Sequence, residues 1–258
     1  MIEQLSSKNQ RILVFADPHQ EIDKVSNILK REQADKVVCL GDWFDSFHLE
    51  NVRYSIKTAA YLQKLVFQPN FLTLFGNHDV HYFWGKNEHA LCSGWTKDKD
   101  KAIIGAFEGK MAEVRDKFQW FVWIDDYLCT HAGVHPYHFP PMLEADKKGI
   151  STWLKKAGEH AELSLASGGS HWFFRAGEAR GGSQRIGGIV WADFDDEFEP
   201  IDGVKQLVGH TYHRRAVTHY SNRNLARAEA NDLDIDCNLT EYLIIHNGKL
   251  EIKSYYDL

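Results

Sequence analysis

No stretch of this sequence approaches the roughly 18–20 apolar residues that a membrane-spanning helix needs. Residues 120–124 form one of the longest apolar runs, and their number suits a strand. Residues 1–10 are polar and lack the apolar centre of a secretory signal, so a cytoplasmic location is expected. Positive charge is in short supply. Thirty Lys and Arg face thirty-six Asp and Glu, a formal charge of −6, which removes any general pull toward nucleic acid or an anionic membrane. The four cysteines (Cys39, Cys92, Cys129 and Cys237) show no CxxC spacing. Three of them sit in apolar, strand-like runs and read as reduced, mostly buried thiols. Internal repeats and Pro/Ser linkers are also missing, so one domain over residues 1–258 is the simplest organisation.

The chain has 258 residues, ample for a buried core, and a share of 43% hydrophobic residues that argues against disorder. Its first third alternates strand and helix signals. Residues 11–16 are an apolar run, and Ile22, Val25, Ile28 and Leu29 then recur at helical spacing. Residues 36–40 are β-branched, Val52, Ile56, Ala59, Ala60 and Val66 mark a second amphipathic helix, and 71–75 supply a third strand. This β-α-β-α-β order predicts an α/β fold with a parallel sheet flanked by helices, and ligands at the carboxyl ends of its strands. Farther on, the pattern predicts a helix over 106–118, strands over 119–124 and 126–130, and a helix over 151–164. Residues 167–188, with seven of the nineteen glycines, read as a long irregular excursion. Short strands are expected at 204–209, 215–219, 233–236, 241–245 and 250–255, with Asn247-Gly248 as a hairpin turn. Two packed sheets follow from this count.

Fourteen histidines direct attention to the strand ends. Asp17-Pro18-His19, Gly41-Asp42-Trp43-Phe44-Asp45, Gly76-Asn77-His78-Asp79 and Thr130-His131-Ala132-Gly133 each stand at a predicted strand end, and Gly209-His210 closes a fifth run. Singly, each has an ordinary explanation: Asp and Gly make turns, and Asn77 could cap a helix. Asp79 fits a loop-bracing role as well as a catalytic one. Jointly, carboxylate, imidazole and amide groups arriving on one sheet edge suit divalent ions such as Mn, Fe or Zn. Five clusters offer more donors than one ion needs, and two ions bridged by a carboxylate would use them.

In this order the five clusters resemble the calcineurin-like metallophosphoesterase family, whose pattern is D-x-H, G-D-x-x-D, G-N-H-[DE], H and G-H. The resemblance runs from Asp17 to at least His213. It implies a four-layer αββα sandwich, with two mixed β-sheets flanked by helices, and a metal-dependent hydrolase of phosphate esters. Asp17 and His19 would then hold the first ion, Asp42 would bridge both, and Asn77, His131 and His210 would complete the second. Mn is the first choice of ion, with Fe, Zn or Ni as alternatives. The implied chemistry is a metal-bridging hydroxide attacking phosphorus in line, with His78 as the general acid oriented by Asp45. The run His131-Ala132-Gly133 and the segments Val190–Asp193 and Asp234-Ile235-Asp236 resemble the phosphoprotein-phosphatase branch, which includes bacterial and phage enzymes.

Two features depart from these patterns. Phosphoprotein phosphatases commonly continue G-D-x-x-D with Arg-Gly; here Ser46-Phe47 stands instead, so a forked anion clamp at that point is absent. Arg175, Arg180, Arg185 and Arg214 are the candidates to replace it. Many phosphodiesterase-type members end in G-H-x-H, whereas Gly209-His210-Thr211-Tyr212-His213 is one residue longer, which turns a side chain to the other face and argues against His213 as a ligand. A phosphomonoester is the substrate expected first, either a phosphoprotein or a small phosphorylated molecule. The alternatives are a diester, a nucleotide or a dinucleoside polyphosphate, and, outside catalysis, a protein-binding scaffold of the same fold. Neither nucleic acid nor membrane is expected as a partner, although Arg214, Arg215, Arg223 and Arg227 would make a local basic strip.

Overall fold

In the computed structural model, which describes residues 4–49, 51–85, 87–219 and 231–257, the apolar runs of the first third are parallel neighbours. Gln4–Leu5 (β1) and Arg11–Phe15 (β2) lead into Ile22–Glu32 (α1), Lys36–Cys39 (β3), Val52–Val66 (α2) and Phe71–Leu74 (β4). Asn77–Phe83 (α3), Lys97–Ala106 (α4) and Met111–Arg115 (α5) precede Phe118–Gln119 (β5), Val122–Ile124 (β6) and Tyr127–Cys129 (β7). After Lys147–Ser167 (α6), the chain closes with Lys205–Val208 (β8), Val217–Thr218 (β9), Asp232–Asp234 (β10), Glu241–His246 (β11) and Lys249–Ser254 (β12).

The strands build two mixed six-stranded sheets, ordered β12-β11-β2-β3-β4-β5 and β1-β6-β7-β8-β10-β9. Side-chain alternation along the strands makes the layers. Ile12, Val14, Val38 and Leu40 share a buried cluster with Val122, Ile124, Leu207 and Leu233 of the other sheet. The intervening residues Leu13, Phe15, Val37 and Cys39 join Val25 and Ile28 of α1 and Ala59 and Leu62 of α2. On the far side, Trp123 and Leu128 share their cluster with Ile150 and Leu154 of α6, and Trp123 Nε1 donates to Ser151 Oγ at 2.8 Å. Helix, sheet, sheet, helix is the resulting order.

Three expectations need correction. The helix placed over 106–118 is two helices, because Thr96 accepts from Lys99 N and starts α4 early. The chain then turns at Glu108 and Gly109, both at positive φ, before α5. The strand placed over 119–124 is divided between the sheets: β5 pairs with β4, and β6 pairs with β1 and β7. Helix α6 starts earlier than expected because Asp146 caps it, accepting from Gly149 N at 2.7 Å. The turn at Asn247-Gly248 has both residues at positive φ and joins β11 to β12 as expected. No helix among the described residues is long and apolar enough to cross a membrane.

Candidate metal centre

Strands β2, β3 and β4 of one sheet and β7 and β8 of the other run into the five polar clusters. Glycine lets the loops meet. A Cβ on Gly41, at φ 106°, would strike the backbone of Gly76, and one on Gly76 would collide with Asp42. One on Gly209 would collide with the Asp17 carboxylate. The loops then lock by backbone hydrogen bonds: Asp17 N to Gly41 O at 3.1 Å, His19 N to Asp42 O at 3.0 Å and Gly209 N to His131 O at 2.6 Å. Asp17, His19, Asp42, Asp45 and His210 all adopt φ between 38° and 74°, a costly conformation for such residues.

Two sets of donors result, and they share one carboxylate. Asp17, His19 and Asp42 each place one ligand atom within 4.8 Å of the others, and so do Asp42, His131 and His210. His19 Nε2 lies 3.9 Å from Asp17 Oδ1 and 3.7 Å from Asp42 Oδ2. His131 Nε2 lies 3.4 Å from Asp42 Oδ2 and 3.1 Å from Asn77 Oδ1. The structure therefore brings together all six residues singled out as ligands.

These groups fit divalent cations. His19 Nδ1 faces Phe44 O at 2.9 Å and His131 Nδ1 faces Leu40 O at 2.8 Å. Each carbonyl takes the ring proton and leaves an Nε2 lone pair turned inward, the tautomer that a metal ligand needs. Asp17 Oδ1 and His210 Nε2 are buried without a hydrogen-bond partner. Burial, followed by the neighbouring charges of Asp236 and Asp42, pushes the Asp17 carboxyl well above its ordinary pKa. Burial and the charge of Asp42 push Asp236 up to about 6. So much enclosed negative charge calls for cations.

Sequence reasoning knew Asp234 and Asp236 only through a likeness. The structure puts Asp236 in the wall of the central cavity, and Asp234 Oδ2 and Asp236 Oδ1 are buried without hydrogen-bond partners. The signal lies in Asp234-Ile235-Asp236, which begins at the last residue of β10 and continues past its end. His213 is in neither donor set, and its Nε2 lies 3.2 Å from both Asp195 carboxylate oxygens.

His78 stands beside the shared carboxylate: its N–H donates to Asp42 Oδ1 at 2.9 Å, and its Nδ1 lies 3.1 Å from Asp45 Oδ2. Asp45 is also reached by Tyr82 Oη at 2.6 Å, Lys99 Nζ at 3.1 Å and His81 Nε2 at 2.9 Å. Burial would raise its pKa, but the close imidazoles of His78 and His81 outweigh it and hold Asp45 far below the usual carboxylate range. Burial likewise opposes a charge on His78. The Cys92 sulfur and the carboxylates of Asp42 and Asp45 overcome that, raising the imidazole well above its ordinary value.

Asp79 braces the loops. Its carboxylate accepts from the backbone N–H groups of Asp42 (2.8 Å), Trp43 (2.9 Å) and Gly76 (3.0 Å), while Gly76, not Asn77, caps α3. Asp79→Ala leaves three buried donors unmet, at about 1–3 kcal/mol each. A loss of about 3 kcal/mol or more in denaturant unfolding is expected, with a smaller loss for Asp79→Asn, which keeps one acceptor oxygen.

The centre opens into a cavity of about 370 Å³. Arg180 is the arginine in its wall. Asp193 Oδ2 holds its Nε at 2.7 Å, and its Nη2 donates to Thr211 Oγ1 at 2.9 Å. Of the other candidates, Arg175 is engaged with His89 and Ser183, and Arg185 lies over Tyr137. Arg214 and Arg215 do not line the cavity, and Arg223 and Arg227 lie outside the described residues. Phe47, which follows Ser46 at the point where the Arg-Gly pair is missing, is 69% exposed, and its ring is tilted over His19 at 6.1 Å and edge-on to His78 at 6.4 Å.

The sequence matches the calcineurin-like phosphoesterase family over residues 10–237. No curated protein matches it. Among solved structures, a cold-active protein-tyrosine phosphatase of a psychrophilic Shewanella superposes with a TM-score of 0.63 at 16% identity, over 99% of this chain and 80% of that one. A protein serine/threonine phosphatase from Saccharomyces cerevisiae does so with a TM-score of 0.53 at 14% identity, over 100% of this chain and 84% of the other. At such identities these two likenesses establish the fold.

Proposed function

Because the chain belongs to the calcineurin-like phosphoesterases, metal-dependent hydrolases of phosphate esters, we propose that its centre cleaves phosphomonoesters with His78 as the general acid. In this reading Asp17, His19, Asp42, Asn77, His131 and His210 hold two divalent ions, with Asp42 shared between them and Mn the first choice. The observation that carries it is the pair of donor sets meeting at Asp42 while the Asp45–His78 pair stands against the same carboxylate.

Two ions bound there would polarise the phosphoryl oxygens and acidify the attacking water. The protein's own groups account for the rest. Asp45 Oδ2 accepts a hydrogen bond from the His78 Nδ1–H, keeping the ring oriented and cationic, and His78 Nε2 gives up its proton to the departing alkoxide oxygen. The phosphoryl group needs a further positive contact, because a monoester carries up to two negative charges. Arg180 supplies it from the cavity wall, its guanidinium already fixed by Asp193 and Thr211. This gives the Trp191-Ala192-Asp193 segment a purpose, as the holder of the arginine.

The test is turnover of metal-stripped protein reloaded with Mn, Zn, Fe or Ni, on an alkyl and an aryl monoester, the aryl diester, a dinucleoside tetraphosphate and a phosphopeptide. The monoesters or the phosphopeptide should lead. Arg180→Ala should lower kcat/KM on monoesters about 10–100-fold, the weight of a charged hydrogen bond, and should lower diester turnover less. A diester or the tetraphosphate leading the series would replace this reading with the alternative, which the exposed Phe47 at the mouth would serve by stacking on a base. No turnover on any of them would leave the scaffold.

A further inference from the structure

His81 and Cys92 neither hold the two ions nor transfer a proton in the reading above, yet both face the general acid. His81 is completely buried, and Cys92 is the partly exposed one of the four cysteines. Cys92 Sγ lies 3.1 Å from His81 Nδ1 and 3.6 Å from His78 Nδ1. One ligand atom from each of His78, His81 and Cys92 lies within 4.8 Å of the others. Bond lengths of about 2.3 Å to sulfur and about 2.0–2.1 Å to imidazole place sulfur and nitrogen about 3.6 Å apart around a tetrahedral zinc, the separation seen between Cys92 and His78. His81 turns both ring nitrogens to polar groups: its Nε2 stands 2.9 Å from Asp45 Oδ2, without the alignment of a hydrogen bond, and its Nδ1 lies against the thiol.

We propose that His78, His81 and Cys92 form a third metal site, specific for a soft divalent ion of the zinc class, whose filling shuts off hydrolysis. Thiolate with two imidazoles is a zinc-type donor set, unlike the sulfur-free oxygen and nitrogen sets around Asp42. Entry is short, since Ser93, next to Cys92, lines the cavity. On binding, the Cys92 thiol proton and the His78 Nδ1 proton both leave to solvent, and the ion takes the Nδ1 lone pair so freed. The ring then surrenders its link to Asp45 and its acidic imidazolium form together. The inhibitory half rests on the general-acid role proposed above; the binding half does not.

Cobalt separates the two. Full-length metal-free protein titrated with Co²⁺ should take up three ions, one of them accompanied by a near-ultraviolet thiolate-to-metal absorption that oxygen and nitrogen ligands cannot produce. Cys92→Ser should abolish the band and one equivalent, and His81→Gln, a separate guard against misfolding, should do the same. For the Mn-loaded enzyme, the zinc concentration giving half inhibition should rise at least about tenfold in Cys92→Ser. Absence of the band in the wild type, its persistence in Cys92→Ser, or unchanged zinc sensitivity would overturn the proposal. A band without hydrolysis of any phosphate ester would strike down the function proposed above and the inhibitory half, leaving the binding half, whereas hydrolysis without the band does the reverse.

Discussion

His78→Asn should slow hydrolysis of alkyl phosphates about 10²–10⁴-fold while leaving activated aryl phosphates within about tenfold of the wild type. An alkoxide cannot depart without a proton, whereas a stabilised phenolate can. The variant should fold, because Asp45 retains Tyr82, Lys99 and His81 when the imidazole is removed, and the His78 N–H still reaches Asp42. Metal content should therefore stay at two ions per chain. Steady-state kinetics on the two ester classes, with metal analysis of the same samples, check it. Equal losses on both would remove His78 from proton transfer and leave it a positioning role.

Asp42→Asn should weaken both ions together, by more than the about 10–100-fold that loss of an outer partner costs. Asp42 alone belongs to both donor sets, and its Oδ2 lies 3.7 Å from His19 and 3.4 Å from His131. In the free protein burial works against its charge, but the imidazoles of His131, His78 and His19 hold its pKa well below the ordinary value. It thus stays a carboxylate in the free protein. The amide keeps the shape, and the backbone N–H bond to Asp79 is untouched. Equilibrium dialysis with Mn should show stoichiometry falling from two toward zero. Retention of one tight ion would make Asp42 a ligand of the other alone.

The residues most legible in the sequence are those whose position depends on local chain geometry. A strand followed by Gly-Asp or Gly-Asn announces both a turn and a polar group at the strand's carboxyl end, and Gly41, Gly76 and Gly209 sit where the loops touch. Arg180 was one of four equivalent candidates, because contacts with Asp193 and Thr211 set its place and no nearby spacing encodes them. The Cys92–His81 contact, made between α3 and the loop beyond it, left no periodic trace either. Helices α4 and α5 were misplaced for a different reason. Their apolar stripe runs across the break at Glu108-Gly109, so periodicity alone joined part of one to the other, while the Thr96 cap marked the true start. The division of 119–124 between two sheets turns on pairing partners far away in the chain.

Crystals of the Mn-loaded protein, measured by anomalous diffraction at the manganese edge, test the central claim most directly. Two peaks about 3.5–4 Å apart are predicted, with the Asp42 carboxylate between them, Asp17 and His19 on one, and Asn77, His131 and His210 on the other. A single peak, or two peaks that do not share Asp42, would contradict it.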